Sequence, residues 1–365
     1  MAEKYRVAVI GRTGKGAYGH GLDVVWKEID NAEVVAVADP DEKGRALAAK
    51  RLGVKNAYAD YREMLEKEKP RVVSVADRFL DQHRDMVVAC ARAGASIFLE
   101  KPMCRTLAEA DEMVKAVQMH HVKLAIAHQT RYSPRIARLR ELIAAGMLGE
   151  ILEIRGRGKE DRRGGGEDLM VLGTHIFDLM RFLVGDASWC FANVMAGGKP
   201  ATRADVRTGG EGMGAIVGDR LYATYGFEKG MVGSFGSHVA KHGVGSRFAL
   251  TLYGSKGMAV MNTGSLPPVW ICEDPTWVGR AKPWVEVSSA GLGKPEPLKN
   301  GGLGQGNVWI VKDLLESIEK DREPLGGISD GRAALEMIHA VYASHRAGVP
   351  VKLPLKERGN PLEGW

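Results

Sequence analysis

Cysteine is scarce in this sequence. The 365 residues contain four cysteines, none at the spacing of a CxxC pair or of a Cys/His zinc site: Cys90, Cys104, Cys190 and Cys272. This spacing argues against a disulfide framework and a structural metal. We therefore predict no metal site and a reducing, cytoplasmic location.

Long apolar runs and blocks of one charge are also missing. No segment reaches the ~18 uncharged apolar residues of a membrane span, and the N-terminal MAEKYR leads directly into a strand pattern without a signal-peptide core. The 51 basic and 45 acidic residues are mixed along the chain. We therefore expect neither a membrane nor a nucleic acid as a partner.

The N-terminal third alternates short apolar runs with helical segments. The strand-like runs are RVAVIG, EVVAVAD, RVVSVAD, SIFLEKP and VKLAIAH, and helices are predicted near 20–29, 41–52, 82–93 and 107–118. Strands separated by helices of about 10 to 15 residues are typical of βαβ units. We predict an α/β fold in which residues 1–126 form a doubly wound parallel sheet.

A second domain is expected because a chain of this length exceeds one ordinary core. Strand pairs joined at 228–230 and 255–257 are typical of antiparallel hairpins. Helices are predicted at 134–145, 175–184, 307–320 and 330–346, with Thr174 as N-cap of the second and an irregular segment at 262–306. Residues 127–365 are thus predicted to form an α+β domain on an antiparallel sheet.

A glycine-rich turn follows the first strand. Gly14, Gly16 and Gly19 satisfy GxGxxG, although Gly11 already ends the strand, which makes the turn longer than usual. Such a turn before a helix lets backbone N–H groups approach a pyrophosphate. Asp39 ends the second strand, where an acid binds the adenosine ribose and repels a 2′-phosphate. We predict a dinucleotide site with NAD favoured over NADP.

Lys101 ends another strand of this domain, in FLEKPM. Ligands of open α/β sheets bind at this edge, and a lysine there can stabilise the alkoxide that forms as hydride leaves a carbon. The alternative is a solvated surface ion pair with Glu100.

Several motifs together resemble the Gfo/Idh/MocA family of NAD(P)-dependent oxidoreductases. They are EKPM at 100–103, RYSPRI at 131–136, GMLGEI at 146–151, GTHIFDL at 173–179, YGSKG at 253–257 and SHRAGVPVKLPL near the C-terminus. The resemblance implies a Rossmann domain followed by a domain with a large, mostly antiparallel open sheet that supports homodimers or homotetramers. It also implies sugar or polyol substrates, with Lys101 and His175 catalytic and Glu100 near the nicotinamide ribose.

The chain departs from the family pattern in two places. The aspartate usual four residues before the histidine is replaced by Val171, and the usual TPxxxH is replaced by ADRFLDQH, in which His83 matches the family histidine. Arg78 is then expected to line the cofactor. The predicted cofactor site comprises Gly11, Arg12, Thr13, Gly14, Gly16, Asp39, Arg78, His83, Glu100 and Lys101.

The missing aspartate leaves the acid partner of His175 open. Asp168 shares a helical face with positions 171 and 175 if the helix is continuous, and Glu167 is a lesser choice. Both are alternatively polar loop residues or contacts to a substrate hydroxyl. Asp178 either orients the imidazole or forms a structural salt bridge.

The predicted substrate site comprises Lys101, Arg131, Asp168, His175 and Trp309. Trp309 belongs to a group with Trp270, Trp277 and Trp284, whose rings either stack on a sugar or fill space beneath a loop.

The sequence predicts an NAD-dependent sugar or polyol dehydrogenase, with C3 of a hexose as the preferred position. One alternative is a redox-neutral glycosidase, lyase or epimerase that retains NAD and oxidises the sugar transiently. Another is a dinucleotide-binding regulator without catalysis.

Overall fold

The computed structural model describes residues 4–240, 247–280 and 282–365. The chain divides into two compact units. The first comprises Met1–Gln129, Glu211–Met213 and Leu303–Arg332, and the second comprises Thr130–Gly210, Gly214–Gly302 and Ala333–Trp365. The first unit thus includes the segment Leu303–Arg332, which lies outside the predicted bounds 1–126 of the first domain.

The first unit contains a parallel sheet of six strands, which confirms the predicted fold class. The strands are β1 (Tyr5–Ile10), β2 (Ala32–Ala38), β3 (Asn56–Tyr58), β4 (Val72–Val75), β5 (Ser96–Leu99) and β6 (Leu124–Ile126). Their order is β3-β2-β1-β4-β5-β6. β4, β5 and β6 are buried at every residue, because both faces of a parallel sheet are covered. Residues that follow β1, β2 and β5 share the carboxyl edge of this sheet.

Four helices accompany these strands in sequence: α1 (Glu42–Leu52), α2 (Tyr61–Glu68), α3 (His83–Arg92) and α4 (Leu107–Met119). Local chemistry fixes their ends. Asp41 caps α1 by accepting a hydrogen bond from the Gly44 N–H, and Thr106 caps α4 by accepting one from the Glu109 N–H.

The helix predicted near 20–29 is wrong. The structure has only a short 3-10 helix, Val25–Glu28, after a series of turns. Gly14, Gly16, Gly19 and Gly21 all have φ between +61° and +83°, a conformation that cannot continue an α-helix. The glycine-rich segment is therefore not followed directly by an α-helix N-terminus.

The second unit contains the strands of a large mixed sheet. They are β7 (Ile151–Arg157), β8 (Trp189–Ala196), β9 (Lys199–Pro200), β12 (Arg220–Gly226), β13 (Val232–His238), β14 (Ala249–Gly254), β15 (Met258–Asn262), β16 (Val269–Cys272), β17 (Val285–Ser288), β18 (Gly291–Leu292) and β19 (Val351–Lys352); a separate pair is β10 (Arg207–Thr208) with β11 (Ala215–Ile216). The order is β18-β17-β16-β15-β14-β7-β13-β12-β8-β19, with β9 on β8. Among the described residues its pairs are antiparallel except β7 with β13.

Both predicted hairpins are confirmed as β12/β13 and β14/β15. The irregular segment predicted at 262–306 is partly wrong, because it holds β16, β17 and β18, which extend the sheet at one edge. Strands of two to four residues between prolines and glycines are too short to show a clear alternation.

The second unit also contains α5 (Pro134–Ala144), α6 (Gly166–Val171) and α7 (Gly173–Val184). α8 (Leu303–Glu319) belongs to the first unit, and α9 (Ile328–Ala347) contributes residues 333–347 to the second. No helix within the described ranges has the length and hydropathy needed to cross a bilayer.

Candidate functional site

The glycine-rich segment at the carboxyl end of β1 forms a tight hairpin. The N–H of Arg12 donates to the carbonyl of Ala17 and the N–H of Ala17 donates to that of Arg12, both at 3.0 Å. Gly14 lies at φ +83° with open space where a Cβ would be. The hairpin thus presents accessible backbone, which suits close approach of a phosphate.

Asp39 anchors this hairpin. Its side chain is buried and accepts hydrogen bonds from the Thr13 N–H at 3.0 Å, the Thr13 hydroxyl at 2.8 Å and the Tyr18 hydroxyl at 2.9 Å. The Asp41 N–H adds a fourth at 3.0 Å. Burial, followed by the charge of Asp39, raises the pKa of Tyr18. A carboxylate offers about four acceptor sites, and donors of the protein use all four, so Asp39 holds the loop in place. Its contact with ribose stays a prediction.

A cavity of about 200 Å³ opens beside Asp39 at the ends of β1 and β2. It is lined by Ile10, Gly11, Arg12, Ala38, Asp39, Pro40, Ala59, Asp60, Tyr61, Arg62, Gln82 and Met86. Apolar surface predominates, and two aspartates and two arginines supply the charged groups. An apolar pocket with a few polar groups fits the adenosine half of a dinucleotide. The residues at this edge therefore fit the predicted cofactor.

The longer turn after β1 and the ADRFLDQH segment after β4 contact each other. Arg12, in the lengthened turn, places Nε 2.6 Å from Oδ2 of Asp77 and also forms an ion pair with Asp81. Both acids belong to the lengthened ADRFLDQH segment. A Cβ on Gly16 would lie 2.5 Å from the Cβ of Arg78, so only glycine permits this packing. The extra residues of the turn and of the segment thus form one structural feature.

Arg78, predicted to line the cofactor, forms an ion pair with Glu211. The carbonyl of Glu211 accepts a hydrogen bond of 2.9 Å from the Leu80 N–H. Residues 211–213 belong to the first unit, and they hold the 77–82 segment from a distant part of the chain. Sequence patterns did not indicate this contact.

His83 is buried at the first residue of α3. Its Nε2 lies 2.7 Å from the Asp77 carbonyl oxygen, and its Nδ1 lies 3.1 Å from the carbonyl oxygens of Pro102 and Met103. The imidazole therefore links the segment after β4 to the residues that directly follow Lys101.

Lys101 is buried rather than solvated, with 7% of its surface exposed. Its Nζ lies 3.8 Å from Oε1 of Glu100, and the same oxygen lies 2.8 Å from Nδ1 of His20. Burial raises the pKa of Glu100, but the hydrogen bond from His20 and the charge of Lys101 outweigh it, so the net pKa is lowered. His20 was missed by sequence reasoning, although its position directly after Gly19 marks it.

In the second unit, His175 lies in α7 and is 9% exposed. Its ring meets that of Phe248 edge to face at 5.8 Å. The prediction of Thr174 as N-cap is wrong, since α7 begins at Gly173. α6 ends at Val171, and Leu172 between the two helices has backbone angles in the helical region. The helical face predicted to carry both Asp168 and His175 is therefore interrupted by one residue.

Asp168 is fully buried. Its carboxylate accepts hydrogen bonds from the N–H groups of Lys159 and Glu160 at 3.2 Å and from the Ser237 hydroxyl at 2.5 Å. Burial raises its pKa, partly offset by the hydrogen bond from Ser237. These bonds join α6 to the residues that follow β7 and to β13. Its catalytic role stays a prediction.

Three consecutive glycines place α6 against the sheet. A Cβ on Gly164 would overlap the backbone of His238, and one on Gly166 would overlap the carbonyl of Val217. Gly165 has φ +81°, a conformation that favours glycine. The close approach explains this run of glycines before the helix pair that carries His175.

Arg131 and Asp178 form a buried salt bridge. Nε of Arg131 donates to Oδ2 of Asp178 at 3.0 Å, and its NH2 group lies 2.8 Å from Oδ1. The guanidinium also stacks over Phe182 at 4.6 Å. Of the two roles open for Asp178, the structural salt bridge is observed. Arg131, predicted to bind substrate, pairs with this carboxylate.

Glu167 and the four tryptophans lie in different parts of the fold and do not share one type of environment. Glu167 lies 3.7 Å from the guanidinium of Arg207. Trp270 lies in β16, Trp277 donates to the Gly254 carbonyl at 2.8 Å, and Trp284 is 42% exposed. Trp309 is half-buried in α8 of the first unit. Stacking on a sugar stays a prediction for these rings.

Comparison with known families defines the class of this protein. Residues 5–128 match the oxidoreductase family with an NAD-binding Rossmann fold, and residues 140–353 match the C-terminal α/β domain of the same family. The chain belongs to the Gfo/Idh/MocA family of oxidoreductases, and NAD is the cofactor of its first domain.

Its relatives include sugar and polyol dehydrogenases. It is 29% identical to levoglucosan dehydrogenase of Pseudarthrobacter phenanthrenivorans over 63% of this chain and 64% of that protein, so the match spans slightly less than two thirds of the relative. It is 28% identical to myo-inositol 2-dehydrogenase of Thermotoga maritima over 68% and 73% of the two chains. A third relative, at 31% over 38% and 36%, is 2,7-anhydro-N-acetylneuraminate hydratase of Mediterraneibacter gnavus.

Solved structures share the fold. The structure of levoglucosan dehydrogenase in complex with NADH and levoglucosan superposes with a TM-score of 0.79, at 22% identity, over 97% of this chain and 100% of that one.

Proposed function

We propose that this protein is an NAD-dependent dehydrogenase that oxidises a secondary alcohol of a sugar, glycoside or polyol, with C3 of a hexose as the preferred position. One observation carries the proposal: a buried lysine lies beside a carboxylate at the carboxyl end of β5, in an NAD-binding domain. Burial strengthens its electrostatic effect on a substrate oxygen, because the surrounding dielectric is low.

Lys101 and His175 divide the proton chemistry in this proposal. NAD supplies the hydride acceptor. Lys101 donates a hydrogen bond to the reacting hydroxyl and stabilises the alkoxide, while the imidazole of His175 accepts the hydroxyl proton. The assignment of His175 rests on the GTHIFDL motif and on its low exposure within α7.

The other predicted residues have supporting roles in the proposal. Gly14 and Gly16 present hairpin backbone to the cofactor phosphates. When NAD binds, Asp39 exchanges one of its loop donors, the Thr13 hydroxyl, for a hydroxyl of the adenosine ribose. Trp309 and Arg78 remain predicted contacts. We also retain a cytoplasmic homodimer or homotetramer as a proposal drawn from the family; the four cysteines are free thiols.

The hydrogen bonds of Asp168 favour a structural role, in which it holds α6 beside the helix of His175, and its predicted catalytic role is the alternative. Asp168→Asn is expected to lower the free energy of unfolding by about 2–3 kcal/mol. The amide keeps one acceptor oxygen, but its NH2 group faces a backbone N–H that donates to the carboxylate in the native protein. Thermal or urea unfolding would measure this. Ser237→Ala, which removes one of the three donors, should give a smaller loss of stability in the same direction. A folded Asp168→Asn protein of native stability without activity would instead favour catalysis by Asp168.

A redox-neutral reaction with retained NAD is the second candidate function. The hydratase among the relatives and Val171 at the usual aspartate position favour it. Transient oxidation at one carbon acidifies the neighbouring C–H, which permits elimination or epimerisation before the carbon is reduced again.

One experiment separates the two candidates. The purified protein is incubated with NAD and a panel of aldoses, glycosides and inositols, while absorbance of reduced NAD and product mass are followed together. Reduced NAD formed in equal amount to an oxidised product supports the dehydrogenase. Turnover without net reduction would support the redox-neutral reaction, and no turnover of any panel member would contradict both as stated.

A further inference from the structure

A histidine outside the family's catalytic pair contacts the lysine through a carboxylate. Nδ1 of His20 lies 2.8 Å from Oε1 of Glu100, and that oxygen lies 3.8 Å from Nζ of Lys101. Glu100 is fully buried, whereas the His20 side chain is 35% exposed. Since a carboxylate only accepts, the Nδ1–H of His20 is the donor. The three side chains form a chain of contacts within the first unit.

The backbone at Gly19 allows His20 to reach Glu100. Gly19 has φ +61°, and a Cβ there would lie 2.8 Å from Oε2 of Glu100 and 2.9 Å from the Ala76 carbonyl oxygen. A larger residue would displace the carboxylate. The glycine therefore allows the turn to approach Glu100 closely enough for the imidazole to reach it.

A second contact fixes His20 from α8. The Asn307 side-chain amide donates to the His20 carbonyl at 3.0 Å, and its own oxygen accepts from the Gln129 amide at 2.8 Å. Asn307 is fully buried. The position of His20 thus depends on tertiary contacts as well as on the turn.

The charges around Glu100 favour its ionised form. His20, Lys101 and His83 are the titratable groups that act on it. A buried carboxylate is costly without a partner, and Glu100 has a donor on one side and an ammonium on the other. Loss of the donor would weaken the counter-ion of Lys101.

We propose that His20 is a positioning residue for Lys101, acting through Glu100: the imidazole holds the carboxylate, and the carboxylate holds the ammonium at its place and in its protonated form. The effect of His20 on catalysis rests on the proposed function, in which Lys101 is catalytic. Its effect on the Lys101 amine can be measured without any substrate turnover.

Acylation of Lys101 by acetic anhydride reports the state of that amine. The purified protein with NAD is labelled at neutral pH, and the rate at Lys101 is read by mass spectrometry. In His20→Ala we expect the rate to rise about threefold or more, because a weaker counter-ion leaves more of the Lys101 amine unprotonated. His20→Asn, whose amide replaces the Nδ1 donor, and the surface control His120→Ala should match the wild type.

Glu100→Gln is the second variant, because it removes the same counter-ion without altering the turn. It should raise Lys101 acylation at least as much as His20→Ala, because it breaks the link between Glu100 and Lys101 through which His20 acts. Wild-type acylation in the folded variant tested would overturn the inference.

Kinetics provide the second readout. His20→Ala should lower kcat about tenfold or more through misplacement of the lysine, with KM for NAD unchanged within about twofold and kcat restored by His20→Asn. If acylation responds as expected but the wild type turns over no substrate, the proposed function fails and the placement of Lys101 by His20 stands. If His20→Ala raised KM for NAD and left kcat unchanged, His20 would act on NAD binding through the glycine-rich turn, and the inference would be overturned.

Discussion

Lys101→Ala is expected to lower kcat/KM by about a hundredfold to a thousandfold while NAD binding stays intact. The ammonium is the cationic group at the carboxyl end of β5 that the proposal assigns to the substrate oxygen, and removal of one such preorganised donor has effects of this size. Steady-state rates on the substrate found in the panel, together with NADH fluorescence titration, measure the two properties separately.

The lysine variant needs a control for the general loss of a positive charge. Lys55→Ala removes an exposed lysine of the same unit and should keep full activity. Weakened NADH binding by Lys101→Ala in proportion to the lost rate would contradict the assignment to the substrate oxygen, since it would place the lysine on the cofactor.

His175→Ala is expected to lower kcat by about a hundredfold to ten-thousandfold, the usual contribution of a positioned base. Because the imidazole is the proposed proton acceptor, added imidazole should restore part of the rate. The ring packs on Phe248 at 5.8 Å, so its removal leaves space for a small base. Rates with and without imidazole, across pH, measure both effects.

A control variant at Phe248 distinguishes proton transfer by His175 from packing of its ring. Phe248→Leu alters the neighbouring ring without removing a base and should change kcat far less than His175→Ala. Similar losses in both variants, with no rescue by imidazole, would show that His175 contributes packing rather than proton transfer.

Local patterns predicted the scaffold well and the side-chain contacts poorly. The apolar runs of β1, β4 and β5 and the hairpin joints at 228–230 and 255–257 follow from periodicity, which is a local property. The contacts of Glu100 with His20 and of Ser237 with Asp168 join residues 80 and 69 positions apart. No spacing rule reaches across such distances.

The glycine-rich turn shows a different limit. GxGxxG predicted a helix directly after the turn. Instead, a hairpin closes between Arg12 and Ala17, and Gly14, Gly16 and Ala17 in it have positive φ. The same letters are compatible with both structures, and the choice depends on Asp39 and Tyr18, whose hydrogen bonds form only when β1 and β2 are side by side. Motif and fold class were therefore predictable, whereas the loop conformation was not.

The pairing of Arg12 with Asp77 has an evolutionary consequence. Asp77 is fully buried, and loss of the arginine would leave its carboxylate without that cation, at a cost of about 3–5 kcal/mol. A lineage that shortened the turn after β1 would have to shorten or neutralise the segment after β4 at the same time. We therefore expect relatives that carry the longer turn after β1 to carry an acid at the position of Asp77 as well.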